Sequence, residues 1–158
     1  MATVRYPDWL PLPQRADQNF TQDTGFQTIQ PAIGPAIFIP QTTDLKGKWS
    51  LKWIFTLEQA ERFKSWLRSP NYCDRGNAWF TIPIDLGDTQ GVQDQEVHFT
   101  SMPVQTSKNG ITVTWTATVI CNEITDITEY YDDWIVEAPQ GYGYWLDYLV
   151  TAVMPEAK

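Results

Sequence analysis

Residues 111 to 121 alternate between apolar side chains and threonine, broken only by Ile120. In a strand, successive side chains point to opposite faces. Ile111, Val113, Trp115, Ala117, Val119 and Cys121 therefore share one face, and Thr112, Thr114, Thr116, Thr118 and Ile120 the other. A helix would scatter the same residues around its circumference. β-Branched and aromatic side chains also suit a pleated surface. This chain is thereby committed to a sheet with one buried face. Residues 47 to 56 repeat the pattern: Trp49, Leu51, Trp53 and Phe55 alternate with Ser50, Lys52, Ile54 and Thr56.

The period then changes. Leu57, Ala60, Phe63, Trp66 and Leu67 recur at helical spacing. Thr56 and Gln59 are placed as a capping box, Glu58 and Glu61 lie near the positive end of the helix and Arg68 near its negative end, and Ser69-Pro70 stops it. The spacing predicts one helix over 57–68. Beyond a loop at 71–77, a strand is predicted over 78–84, with Pro83 favouring an edge. A polar loop follows over 85–95, then a strand over 96–104 and a hairpin turn at Ser107-Lys108-Asn109-Gly110.

The flanks differ from this core. Residues 1–46 are rich in Pro, Gln and Thr, and proline favours extended backbone. They read as an N-terminal arm lying on a surface, with Tyr6, Trp9, Leu10 and Leu12 as anchors. The apolar piece Ile33 to Ile39 reads as a short edge strand or as part of that arm. Residues 123–158 form an acidic, aromatic C-terminal extension. In it, Trp145, Tyr148, Leu149 and Ala152 fit a short amphipathic helix, folded on its own core or docked on a neighbour. The expected organisation is an arm over 1–46, a β-rich core over 47–122 and an extension over 123–158. The expected fold is mainly β, an antiparallel sandwich or barrel flanked by one helix.

Charge narrows the partners. A formal net charge of −8 repels phosphate backbones and anionic membranes alike. No apolar run reaches the ~18 residues of a membrane span, and Met1 to Leu12 lacks the apolar run of a signal peptide. Cys73 and Cys121 stand apart, outside any CxxC motif, and read as free thiols of a reducing cytoplasm.

Chemistry is hard to place. His98 is the single histidine and sits on an alternating strand, so one His and two distant Cys cannot assemble the usual zinc sets. No nucleophile elbow or glycine-rich phosphate loop is present. The carboxylates Asp85, Asp88, Asp94 and Glu96 miss the calcium-loop spacing. The expectation is a protein with no catalytic residue, no cofactor and no metal.

The order of features resembles the tail-tip proteins of long-tailed bacteriophages, the minor tail and distal tail proteins. The likeness is carried over residues 9–122. It comprises an arm Trp9-Leu10-Pro11-Leu12-Pro13, a strand ending at Phe55, a helix closing on Phe63-Lys64-Ser65-Trp66-Leu67, and a strand Phe80-Thr81-Ile82-Pro83. The resemblance implies a tail-tube-like fold, a ring of copies, six as a rule, contacts with tail-tube and baseplate proteins, and a virion location after synthesis in the host cytoplasm. DNA would pass through without specific binding. On that reading Tyr6, Trp9, Leu10, Leu12, Trp145, Tyr148 and Leu149 face other subunits, and Asp88, Asp94 and Glu96 line the channel. Three other readings compete. One is a glycan-binding module using the exposed candidates Trp9, Trp79, Trp134 and Trp145, another a head-side adaptor, and the third an assembly chaperone.

Overall fold

The computed structural model describes residues 4–16, 18–89, 91–124 and 131–141. The mainly β expectation holds. Among the described residues one sheet has seven strands and a second sheet has two. The long pair is β5 (Gly47–Thr56) and β9 (Thr112–Cys121), antiparallel in unbroken register from Gly47↔Cys121 to Thr56↔Thr112. Their buried faces are the predicted ones: Trp49, Leu51, Trp53 and Phe55 meet Val113, Trp115, Val119 and Cys121. Ile111 departs from the pattern. It occupies the two-residue turn with Gly110, whose φ of 61 is left-handed, and its side chain is exposed.

Helix α1 (Leu57–Arg68) begins where predicted, with both capping-box bonds made between Thr56 and Gln59. It lies over the inner face of the sheet. Phe63 is the wedge, its ring centroid 5.4 Å from Trp53, 4.9 Å from Phe55 and 5.6 Å from Trp115. Trp66 meets Phe80 edge-on at 5.2 Å, which couples the helix to β6 (Phe80–Asp85). Leu57, expected on the buried face, is exposed at the helix entrance.

Beyond β9 the sheet continues through β7 (Val92–Phe99) to β6, while β8 (Val104–Asn109) pairs with the other half of the same β9 edge. The polar loop predicted over 85–95 is therefore shorter. Asp94 and Glu96 belong to β7, opposite Pro83 and Thr81, because alternating Gln95, Val97 and Phe99 have inner-face positions to fill.

The N-terminal segment is the main correction. Strand β1 (Val4–Arg5) pairs in parallel with β6, and β2 (Asn19–Gln22) pairs antiparallel with β5. These are the two outermost strands of the sheet, yet they are neighbours in sequence. The residues between them form a strap from one edge to the other. The Tyr6 N–H donates to the Thr81 carbonyl at 2.9 Å, and the Gln14 N–H to the Lys52 carbonyl at 2.7 Å. Gln18 Nε2 returns to the Asp85 carbonyl on β6 at 2.9 Å. The sheet thus curls toward a barrel whose seam is a crossing strap, not a continuous ladder.

Beneath the strap, Tyr6 and Leu10 are almost fully buried, and Tyr6 packs edge-on against Trp66 at 5.8 Å. Both were expected at a subunit interface; they belong to the chain's own core, because the open seam leaves Trp66 and Phe80 needing cover. Residues 1–46 are accordingly no single arm. Only the second sheet, β3 (Phe26–Ile29) paired with β4 (Ile37–Pro40), stands apart.

Two substitutions test this core. Phe63→Ala removes the wedge and should cost about 3–5 kcal/mol, and Leu10→Ala about 2–5 kcal/mol. In a domain of this size either lowers Tm by roughly 10 °C. A Leu10→Ala chain that melts like the parent would show that the strap is not part of the core.

Candidate functional site: an exposed apolar hairpin

The β3–β4 hairpin leaves the body between Gln22 and Gly47, and every one of its strand positions is exposed. Its apolar content is high: Phe26, Ile29, Ile37, Phe38 and Ile39 on the strands and Ile33, 93 % exposed, at the tip. Alternation sends Phe38 to one face and Ile37 and Ile39 to the other, so neither face is a polar one. One contact consolidates it, Phe26 against Phe38 edge-on at 5.5 Å. No charged residue occurs from Thr24 to Thr43.

The foot of the hairpin is firmly built. The Gln41 and Thr42 N–H groups both donate to the Gly25 carbonyl, at 2.8 and 3.2 Å. A Cβ at Gly25 would lie 2.7 Å from Leu45 Cδ2 and 2.8 Å from the Thr42 carbonyl, so this crossing admits only glycine. Lys46 bonds Asp44 at 2.7 Å and the Asn122 carbonyl at 2.8 Å, and Lys48 bonds Asp23 at 3.1 Å. Exposed ion pairs of this kind add little stability; here they fix where the hairpin departs. The charged foot and uncharged blade make a projection whose base is anchored and whose surface no other described element covers.

A second feature lies along α1. The strap and the helix enclose an open groove of about 760 Å³, floored by Trp66 and walled by Pro7, Trp9 and Tyr72. Trp9 is 53 % exposed and Tyr72 55 %. The Arg62 guanidinium sits 4.9 Å above the Trp9 ring and is itself paired with Glu58 at 3.1 Å. Trp9 is therefore held in place while most of its ring stays open.

The other sequence candidates scatter. Leu12 lies on the strap itself and is exposed. Asp94 is bound by Arg5 at 3.0 Å on the outer face of β7, two positions from Glu96, whereas Asp88 lies in the turn after β6. The three carboxylates proposed for a channel wall thus occupy two separate elements. Trp79 stacks edge-on with His98 at 5.3 Å and Trp134 belongs to the short helix α2 (Asp132–Glu137), so with Trp9 the exposed tryptophans sit on three different elements. Trp145, Tyr148 and Leu149 lie outside the described residues. Among the described residues no group of three His, Cys, Asp or Glu side chains is placed to hold a metal ion, and no helix is long and apolar enough to cross a membrane. The chain matches no protein-family model, no curated protein and no solved structure.

Both thiols are unpaired and buried. Burial pushes the Cys73 thiol up to about 11, outweighing the Gly76 and Ala78 N–H groups that favour its thiolate. Burial raises Cys121 as well, and drives the Tyr6 phenol far up against the opposing Trp53 N–H. All three groups stay protonated in the folded chain where the unfolded chain has begun to ionise. As pH rises past 9.0, the ordinary value of the thiol, the unfolded state holds fewer protons than the native one, so stability falls. The contribution is intact below that pH and is lost on passing about 11. Melting curves across this range should show the decline, and a disulfide reagent should label neither thiol before unfolding. Rapid labelling of the native chain would contradict the burial.

Proposed function

We infer that this protein is a structural subunit that assembles with copies of itself, and that it does so as a ring component in the tail of a long-tailed bacteriophage. The observation that carries self-assembly is the β3–β4 hairpin, apolar and exposed on both faces, with no covering partner among the described residues. Isolated two-stranded hairpins are at best marginal in water. Exposed apolar patches beyond a few hundred Å² mark interaction sites. The lack of charge on the blade argues against phosphate-bearing or strongly charged partners and favours another protein surface.

The tail assignment rests on the sequence resemblance. It agrees with a rolled sheet covered by one helix, and with the excess of carboxylates that would keep passing DNA from sticking. Asp94 is already tied to Arg5, so in a channel wall its charge would be partly spent. The reading is that of a scaffold part, with no reaction of its own.

Light scattering across a range of concentrations tests the first half. The unmodified chain should associate. An Ile33→Ser, Ile37→Ser chain, which leaves the Phe26–Phe38 contact in place, should keep its Tm, since exposed positions rarely shift stability by more than about 0.5 kcal/mol. It should also lose at least about tenfold in association, the effect of removing some 1.4 kcal/mol of contact. Unchanged association would remove the hairpin from the interface. For the second half, mass spectrometry of virions from the genome that encodes the chain should find it in multiple copies per particle. Its absence from purified particles would overturn the tail assignment.

A further inference from the structure

We propose that the β3–β4 hairpin of one copy seats its proline-bearing tip in the Trp9–Trp66–Tyr72 groove of the next, a head-to-tail contact between identical chains. It deepens the reading just given and rests on it.

The hairpin sets the demand. With six large apolar side chains roughly half uncovered, at 150–250 Å² per large side chain, it presents on the order of 500 Å². A standard interface takes about 800 Å² from each partner, so the blade as a whole is large enough to supply most of one side. Charge selects the occupant. Two chains of net charge −8 repel each other. An element with no charge from residue 24 to 43 is the part of such a chain that another copy can approach without desolvating a carboxylate.

The groove fits that element chemically. The tip reads Gln30-Pro31-Ala32-Ile33-Gly34-Pro35-Ala36, and aromatic-lined grooves are the surfaces that take proline-bearing, uncharged segments. Trp9 is already ordered by the Arg62 guanidinium and needs little further ordering on binding. Glu58 and Arg62 form a polar rim, and aromatic anchors within such a rim dominate interface energies.

Placement decides the symmetry. The hairpin is rooted before Gly47, at the start of β5, whereas α1 leaves the opposite end of β5 after Thr56. Knob and socket are different surfaces at opposite ends of β5, and in the head-to-tail arrangement each copy gives its hairpin to one neighbour and takes one from another, which makes the contact heterologous. Contacts of that type generate rings when the rotation closes and filaments when it does not.

Cross-linking between copies tests the contact. Two differently tagged full-length chains, one carrying Ile33→Cys and the other Ser65→Cys, are mixed and oxidised with diamide. Cys73 and Cys121 are buried and stay silent. The expected result is a reducible dimer containing both tags, with little product when Ser65→Cys is replaced by Gln22→Cys, opposite Gly47 at the other end of β5. In parallel, a Trp9→Ala, Tyr72→Ala chain should keep its circular dichroism spectrum and lose association at least tenfold. Equal cross-linking to both positions, or full association by the Trp9→Ala, Tyr72→Ala chain, overturns the groove contact while leaving self-assembly through the hairpin standing. A chain that stays monomeric at every concentration overturns both.

Discussion

The strap between residues 4 and 22 is the constraint on which the rest of the molecule depends. A sheet this apolar on its inner face cannot stay open, because both of its edges would bring aromatic side chains to water. The strap bonds its Tyr6 N–H to β6 and its Gln14 N–H to β5, and it lowers Tyr6 and Leu10 into the gap between them. An antiparallel ladder could have closed the same seam. A crossing segment does so with fewer backbone hydrogen bonds but with two core side chains. Helix α1 then covers what the strap does not, through Phe63 over Trp53, Phe55 and Trp115 and through Trp66 against Phe80. Tyr6 meets Trp66, so strap and lid form a single packing unit.

Closure of the body in this way leaves the hairpin outside it. Once β2 has paired with β5, the chain from Asp23 to Lys46 has no inner face left to join, and its foot is tied down by Gly25 and the flanking ion pairs. Natural sheets blunt their free edges with charge, proline or a bulge. Here Pro31, Pro35 and Pro40 bracket the blade, but charge is absent from it. A hairpin built to remain solvated would carry lysine or glutamate among its isoleucines. Its composition is that of an interface core, which supports the assembly reading more directly than any feature of the body.

The expected electrostatic role is less concentrated than the acidic composition suggested. Arg5 on β1 reaches Asp94 on β7, and Arg15 approaches Asp85 at 3.6 Å. The strap therefore spends basic side chains on the carboxylates of the strands that it closes. Asp88 lies apart, in the turn beyond β6. The three carboxylates proposed for a channel wall are thus spread over a turn and a strand.

Local pattern alone determined a good deal of this protein. Period-two alternation gave β5 and β9 with the right buried faces, and helical spacing with the Thr56–Gln59 box gave α1 to the residue. These segments bury one face whatever their neighbours, so their periodicity is visible before any partner is known. Only the tertiary structure decided where the N-terminal aromatics go. Tyr6 and Leu10 in an extended, proline-rich stretch carry no period that separates docking on one's own seam from docking on another subunit, because the choice depends on the edges of a sheet closed by residues 75 positions away and more. The same ambiguity hid β2, four exposed residues whose order comes from pairing with β5. It also hid the groove, which Trp9 and Tyr72 come to line only once the strap packs against α1. The hairpin did leave a trace in the sequence: the apolar run from Ile33 to Ile39 and the long uncharged interval around it. Composition could show that this piece wanted cover. Only the fold showed that the described residues leave it exposed.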